Sequence, residues 1–201
     1  MLRQFEPMLP TLVQKPFSSQ QWLFEPKWDG WRAMCFVRDG EANFISRKQN
    51  SLNERFPQLK DAANSIQAAT AILDGEIVAL DENGLPRFEG LRSKRTNTAV
   101  VFYAFDLLYL DGYDLTRCPL IKRKALLRKI LPKDNTGRVR YTDHISGSGE
   151  RLFKKIEALN LEGMVMKRKD SVYAFTRCRD WLKVRTTSGR VTIQKRIENW
   201  K

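Results

Sequence analysis

The sequence predicts an α+β domain, and three observations carry that prediction. Short runs of alternating apolar and polar residues recur between Asp-Gly and Asn-Gly turns, at least three segments place apolar residues at helical spacing, and 201 residues are enough to bury a core. No internal repeat or low-complexity tract divides the chain.

Residues 1–20 hold Pro7, Pro10 and Pro16 among apolar residues and read as an extended strap, because proline disfavours helix both at its own position and at the one before it. Residues 22–27 form the first strand and deliver Lys27 to its end. Asp29-Gly30 is expected to turn the chain so that residues 31–37 run back beside it, and Asp39-Gly40 starts a third strand over 41–46, which gives an antiparallel meander. Residues 52–69 space Phe56, Leu59, Ala62, Ala63 and Ile66 as a packing helix with Asn53 as N-cap. Residues 71–80 are a strand interrupted by Asp74-Gly75-Glu76, where the glycine predicts a bulge or a close approach. Residues 87–98 read as a mobile surface loop. Residues 100–110 are the most apolar run and form a central strand.

In the second half, residues 121–131 predict a basic amphipathic helix halted by Pro132, and 137–145 another strand. A helix opening at residues 148–151 buries Leu152, Phe153, Ile156 and Leu159, and residues 162–167 and 180–185 are two short strands with charges at alternate positions. Strands covered on one face can present Lys167, Lys183 and Arg185 from the other, as a grip for phosphates. Residues 186–201 form a polar tail with a weak helical pattern.

Composition bounds the chemistry. Cys35, Cys118 and Cys178 are few and far apart, which fits free thiols better than a disulfide framework or a zinc cluster. His144 is the only histidine, so serine–histidine catalysis and histidine-rich metal sites are both poorly supported, and any metal is expected to be a hard cation held by carboxylates and phosphate. The net charge of +13 is split unevenly. Residues 1–116 carry 13 Lys+Arg against 15 Asp+Glu, whereas residues 117–201 carry 23 against 8. A basic half of that size predicts a face for a polyanion, the plainer alternative being a solubilising surface. No apolar run is long enough to span a membrane and the first residues lack the apolar core of a signal peptide, so a cytoplasmic protein is expected.

The densest cluster of chemistry is Lys27-Trp28-Asp29-Gly30-Trp31-Arg32. A lysine becomes a nucleophile when its surroundings favour the neutral amine, and Asp29 and Arg32 could share its ligand. An ordinary hairpin whose Asp-Gly turn follows a lysine is the blander reading, and this stretch alone does not choose between them.

Taken with the clusters downstream, it resembles the nucleotidyltransferase (adenylation) domain of ATP-dependent DNA ligases of the bacterial end-joining or repair type. Residues 27–32 look like that family's motif I, K-x-D-G-x-R, and Ser46-Arg47 resembles motif Ia. Asp74-Gly75-Glu76 resembles motif III, Phe105-Asp106-Leu107-Leu108 motif IIIa, residues 162–167 motif IV, and residues 181–185 motif V. Asp170-Ser171-Val172-Tyr173 and Arg177 add to the likeness to the bacterial ligases, and the six ordered motifs together cover nearly the whole chain.

The resemblance implies two antiparallel sheets flanked by helices, with the nucleotide cleft between them in an ATP-grasp-like nucleotidyltransferase fold. It implies that Lys27 takes AMP from ATP as a phosphoramidate and passes it to a 5′-phosphate at a DNA nick, which the 3′-hydroxyl then seals. Lys183 would neutralise the α-phosphate, with Arg185 beside it, and Asp29 would serve the strand end or a metal. Glu76 and Glu162 would hold Mg²⁺ or Mn²⁺, with Glu76 also at the ribose. Glu25 would read the adenine edge, Phe105 would stack on the base, Lys167 would contact phosphate, and Arg32 and Arg47 would act on ribose and DNA phosphate.

Three departures from the family pattern carry expectations of their own. Lys48-Gln49-Asn50 stands where the family commonly has a glycine after the arginine, so that loop is expected to differ, and Arg185 replaces a lysine. Residues 186–201 are too few for the OB-fold domain that follows in the family, so the expectation is an adenylation domain over residues 1–185 with a tail over 186–201 and no OB-fold. Such a chain would load AMP slowly or rely on a separate OB-fold or DNA-end-binding protein, and would act as a monomer on nicked duplex DNA. The alternatives are an RNA ligase or capping-type nucleotidyltransferase and, from another class, an inactive DNA-binding module.

Overall fold

The structure is a computed structural model that describes residues 6–92, 99–134 and 136–198. The elements are β1 (Leu9–Leu12), β2 (Trp22–Lys27), β3 (Trp31–Arg38), β4 (Glu41–Ser46), β5 (Thr70–Leu80), β6 (Ala99–Leu110), β7 (Tyr113–Asp114), α1 (Leu120–Ile130), β8 (Val139–Tyr141), β9 (Ile145–Ser146), α2 (Gly149–Ala158), β10 (Gly163–Arg168), β11 (Arg177–Arg185) and α3 (Thr187–Glu198). Short 3₁₀ segments occupy Pro57–Ser65 and Phe88–Leu91.

The strands form two sheets. One runs β1-β11-β10-β2-β9 and the other β4-β3-β5-β6-β7, with β8 also paired to β6. Most pairs are antiparallel, as expected, and each sheet gains one parallel partner: β1 beside β11 and β8 beside β6. The proline-rich strap thus contributes a strand at an edge, where missing backbone donors are tolerated.

The opening meander is corrected. β2 pairs with β10 and β9, whereas β3 pairs with β4 and β5, so residues 28–30 carry the chain from one sheet to the other instead of closing a hairpin. Gly30 serves that crossing through close approach, since a β-carbon there would overlap the carbonyl oxygen of Ile77 and sit 3.0 Å from Cγ of Glu76. The strand expected over residues 137–145 divides in the same way, β8 joining one sheet and β9 the other. The indole N–H of Trp28 donates to Oγ1 of Thr142 at 3.1 Å and thereby ties the two crossings together. Trp28 also stacks on Tyr103, centroid to centroid 3.9 Å.

Four apolar clusters follow from the alternation of side chains, the smallest being Val78, Leu80, Val101 and Tyr103 beneath Trp28. Phe24, Met164, Met166 and Val184 face α2 and pack on Phe153 and Ile156. Phe44, Phe102 and Leu73 pack on the other sheet's far side against the 3₁₀ segment and α1, through Phe56, Leu59 and Leu127. Met8, Leu23, Met34, Ile72, Phe105 and Trp181 fill the space between the sheets. Truncating a side chain as enclosed as Phe24 to alanine costs about 3–5 kcal/mol in such settings.

Other local expectations change. The helix expected over residues 52–69 is a 3₁₀ segment kinked at Asp61, and Asn53 caps nothing: its side chain accepts the Phe44 N–H at 2.8 Å and donates to the Ala42 carbonyl, stitching the segment to β4. Leu159 falls past the end of α2 and is 54% exposed, because Asn160 reverses the chain at φ 53. Phe88–Leu91 is a 3₁₀ turn that buries Gly90 and Leu91, while residues 93–98 of the expected loop lie outside the described residues. At the loop where a glycine was missing, Gln49 takes φ 63, a left-handed conformation that costs a non-glycine residue roughly 1 kcal/mol. The loop keeps a glycine-like turn without the glycine. Gly75 meets its expectation doubly, since the β5–β6 register shifts beside it and a β-carbon there would overlap the Phe102 ring. The tail forms α3.

Candidate active site

Strand alternation puts the chemistry on the faces that look across at one another. On β2, Phe24 faces α2, so Leu23, Glu25 and Lys27 face the opposite sheet; on β10 and β11, Met164, Met166 and Val184 turn outward, so Val165, Lys167, Trp181, Lys183 and Arg185 turn inward. Glu25, Lys27, Arg32, Glu76, Phe105 and Lys167 line one pocket between the sheets.

Lys27 stands at the mouth of this pocket. Its Nζ lies 2.6 Å from Oε2 of Glu162, the residue that precedes β10, and Gly163 is Lys27's register partner. The lysine side chain is 22% exposed and the glutamate 7%, so the amine is reachable while its partner is enclosed. Lys183 is half-buried on the neighbouring strand; burial, then the positive charges of Lys27 and Arg185, lower its pKa. Asp29 borders a second opening with Glu162 and residues of α3.

Glu76 carries a clear electrostatic signature. Burial pushes its carboxyl up to about 7, Lys27 and Arg32 pull it back only in part, and Glu162 and Asp29 add repulsion. Between its ordinary 4.5 and about 7, the folded chain holds a proton that the unfolded chain has released, so this group's contribution to stability falls as pH rises through that window. Replacing it with glutamine should therefore raise the thermal midpoint at pH 8 but leave it nearly unchanged at pH 5. Equal shifts at both pH values in paired melts would contradict this origin.

Behind the mouth lie two buried networks. Arg32 grips Asp74 with two bonds of 2.6 Å and donates to the Met8 carbonyl at 3.3 Å. The Tyr173 hydroxyl donates to the same carboxylate at 2.6 Å and accepts the Met8 N–H at 3.0 Å. In the second network Glu25 lies 2.6 Å from both Lys124 and Lys167, with all three side chains almost wholly enclosed. Burial alone would raise the Glu25 pKa, but the two ammonium groups outweigh it and hold it low. Lys167 is lowered to about 8, chiefly by burial and with Lys124 adding repulsion against the pull of Glu25. The excess positive charge rests on aromatic faces: Lys167 is 4.2 Å from the Phe105 and Trp181 centroids, and Lys124 is 4.3 Å from that of Tyr141.

The structure thus gathers Glu25, Lys27, Arg32, Glu76, Phe105, Glu162, Lys167, Lys183 and Arg185 around one cleft or on the strands that wall it. Three placements differ from direct ligand contact. Lys167 is 2% exposed and committed to Glu25, Arg32 is committed to Asp74 with Phe105 beneath its guanidinium at 4.5 Å, and Arg47 is exposed in the turn after β4, away from the pocket lining. Asp74, Lys124 and Tyr173 are the side chains of these networks for which the sequence suggested no such role.

No group of three or more His, Cys, Asp and Glu is arranged as a metal cage among the described residues. Two carboxylates do remain at the mouth, the half-buried Glu76 and the enclosed Glu162, close enough to repel each other. Such a pair suits a hard divalent cation whose remaining ligands are phosphate oxygens and water.

Residues 4–185 match the family model described as the ATP dependent DNA ligase domain. The multifunctional non-homologous end joining protein LigD of Mycolicibacterium smegmatis is 35% identical over 182 residues, covering 89% of this chain and 23% of that protein. The SPbeta prophage-derived DNA ligase-like protein LigB of Bacillus subtilis is 32% identical over 184 residues, covering 89% of this chain and 66% of that protein. Among solved structures, mycobacterial DNA ligase D complexed with ATP and MES matches with a TM-score of 0.79 at 33% identity, over 90% of this chain and 60% of that chain. The chain therefore spans under a quarter of the length of its LigD relative.

Proposed function

The chain belongs to the ATP dependent DNA ligase domain family, and from that membership we propose that it forms lysyl-AMP at Lys27, passes AMP to a 5′-phosphate at a DNA nick and seals the nick with the 3′-hydroxyl. The observation that carries this reading is the accessible Lys27 amine, held 2.6 Å from Glu162 at the mouth of the pocket between the sheets.

In the first step the neutral Lys27 amine attacks the α-phosphorus of ATP. A P–N bond forms as the P–O bond to pyrophosphate breaks, pyrophosphate leaves with the electron pair, and the nitrogen releases one proton to solvent to leave the neutral phosphoramidate N–H. Lys183 and Arg185, on β11 in the same sheet as Lys27 and on the same face, neutralise charge that grows on the α-phosphoryl oxygens. Phe105 supplies the apolar floor for the base, and Glu25, fixed from both sides by Lys124 and Lys167, reads its edge. Arg32 lines the ribose end while anchored on Asp74. Glu76 and Glu162 would hold Mg²⁺ or Mn²⁺, which when bound stabilises charge on phosphoryl oxygens.

At the nick, an oxygen of the 5′-phosphate displaces Lys27 from AMP, and the 3′-hydroxyl then displaces AMP from the 5′-phosphorus. Asp29, at the edge of the opening beside Glu162, is placed to meet the strand end. Nicked duplex DNA would be held by its phosphates through the basic residues of the second half, without sequence preference. LigD relatives are named for non-homologous end joining, and the same use, repair of broken ends, is proposed for this chain. Among the described residues no helix is long and apolar enough to cross a membrane. The proposed site of action is the cytoplasm.

The test offers ATP, GTP and NAD in turn with Mg²⁺ and weighs the protein. One AMP on Lys27 from ATP alone is the expected result. Loading from GTP would point to a capping-type enzyme instead, and no loading from any donor to an inactive DNA-binding module.

A further inference from the structure

The bond between Lys27 and Glu162 depends on where Glu162 is held, and its backbone is gripped from one side by the start of α3. Thr186, just after β11, donates its N–H to the Glu162 carbonyl at 3.1 Å. Its hydroxyl donates to the Leu161 carbonyl at 2.6 Å and accepts the Gly189 N–H at 3.0 Å, so one side chain links the turn leading into Glu162 to the first turn of α3. Ser188 donates to Oδ1 of Asn160 at 3.0 Å and extends the contact by one residue.

Gly189 completes the grip. Glycine inside a helix costs about 1 kcal/mol relative to alanine, so its presence there calls for a reason. A β-carbon at this position would overlap the Glu162 carbonyl oxygen and lie 2.8 Å from its carbonyl carbon and 3.0 Å from its Cα. The helix can approach this closely only as glycine. On the other side, Gly163 is equally tight, since a β-carbon there would sit 3.1 Å from Cα of Arg185 and overlap the Val184 carbonyl oxygen. The backbone at Glu162 and Gly163 is therefore packed by main chain on two sides, which fixes the point from which the Glu162 side chain reaches Lys27.

We propose that Thr186 and Gly189 are positioning residues that set the Glu162 carboxylate against Lys27, and so fix the attacking amine for AMP loading. The inference rests on the reading of Lys27 as the AMP carrier. It makes α3 part of the reaction apparatus although, among the described residues, none of α3 lines the pocket that holds Lys27.

Two readouts test it on the full chain. The first is the yield of the zero-length carbodiimide crosslink between Lys27 and Glu162, measured by peptide mass spectrometry, which reports their proximity whether or not the chain loads AMP. The second is single-turnover AMP loading from ATP, separated into maximal rate and half-saturating ATP. Thr186→Val keeps the shape and removes the hydroxyl, Gly189→Ala forces the backbones apart, and Thr186→Ser restores the bonds.

The valine and alanine variants should lose crosslink by at least about threefold and maximal rate by about tenfold, with half-saturating ATP changed by less than about twofold, since small displacements of a reacting group cost rate more than binding. The serine variant should match the parent chain in both. Parental crosslink yield in Thr186→Val and Gly189→Ala, or equal losses in Thr186→Val and Thr186→Ser, overturns the proposal, as does a parent chain that forms no crosslink. A parent chain that crosslinks with this pattern but takes no AMP leaves the positioning role standing and sinks the proposed function instead. Thermal melts identify a variant that has unfolded, in which case the remaining one of the valine and alanine pair decides against serine.

Discussion

Lys27→Ala is expected to abolish the AMP increment on the chain, and Lys27→Arg to abolish it equally. Arginine preserves the positive charge and the pairing with Glu162, yet its guanidinium stays protonated and cannot attack phosphorus. Loss of a covalent nucleophile costs at least about 10⁴-fold in rate, far beyond what misplacement alone removes. Fold should survive in the arginine variant, because the Lys27 side chain is partly exposed and Glu162 keeps a cationic partner. The measurement is intact mass after incubation with ATP and Mg²⁺, paired with sealing of a nick that already carries AMP. Loading should vanish, whereas sealing should persist at a reduced but measurable rate, since the last step makes no bond to the lysine. If the arginine variant still gains one AMP, the carrier is another residue.

Much of the fold was legible because the strand signals are local. Asp39-Gly40 and Asp111-Gly112 both take positive φ, as their turns require, and the apolar run of β6 became a central strand. Topology at Asp29-Gly30 was not legible. The dipeptide looks the same whether it closes a hairpin or crosses between sheets, and the deciding contacts, Gly30 against Ile77 and Trp28 against Thr142, lie 47 and 114 residues away. The kinked 3₁₀ segment at Pro57–Ser65 failed for a related reason. Its apolar spacing satisfies helix geometry, but Pro57 near its start and the pull of Asn53 toward β4 favour a tighter, shorter turn.

The candidate site was legible as a set of residues and not as an arrangement. Alternation along β2, β10 and β11 was enough to put Lys27, Lys167 and Lys183 on one face. It could not say that Lys167 would be enclosed. One signal for that was available in α1, where Arg123 and Lys124 fall three and four residues after the buried Leu120 and before the buried Leu127, on the helix face that meets the core. Two cations on a core face require buried carboxylates, and Asp106 and Glu25 are those partners. Reading the helix as merely basic and amphipathic hid this demand.

That demand makes Glu25 the residue whose loss should destabilise the fold most. Glu25→Gln leaves Lys124 and Lys167 enclosed at 0% and 2% side-chain exposure without the carboxylate that pairs both of them. Stranding one member of a buried ion pair costs about 3–5 kcal/mol, and here a single change strands two. The sign of the pH effect follows from Lys167, already lowered to about 8 in the intact network. Without Glu25, Lys167 should ionise still less readily in the folded chain than in the unfolded one, so the folded state binds fewer protons and gains stability as pH rises. The deficit of the variant should therefore be largest near neutral pH and shrink towards pH 10. Adding Lys167→Met should recover part of it, because removing a stranded charge relieves its desolvation cost while Lys124 keeps the Thr142 carbonyl at 2.8 Å. Denaturant unfolding of the single and double variants at pH 7 and pH 9.5 reads both effects, and a double variant no more stable than Glu25→Gln would mean that Lys167 carries no buried charge. The same experiment bears on the cleft, since Lys167 rests against Phe105 and Trp181: a chain stabilised by its removal yet poorer at binding ATP would separate what this lysine costs the fold from what it holds in place for the base.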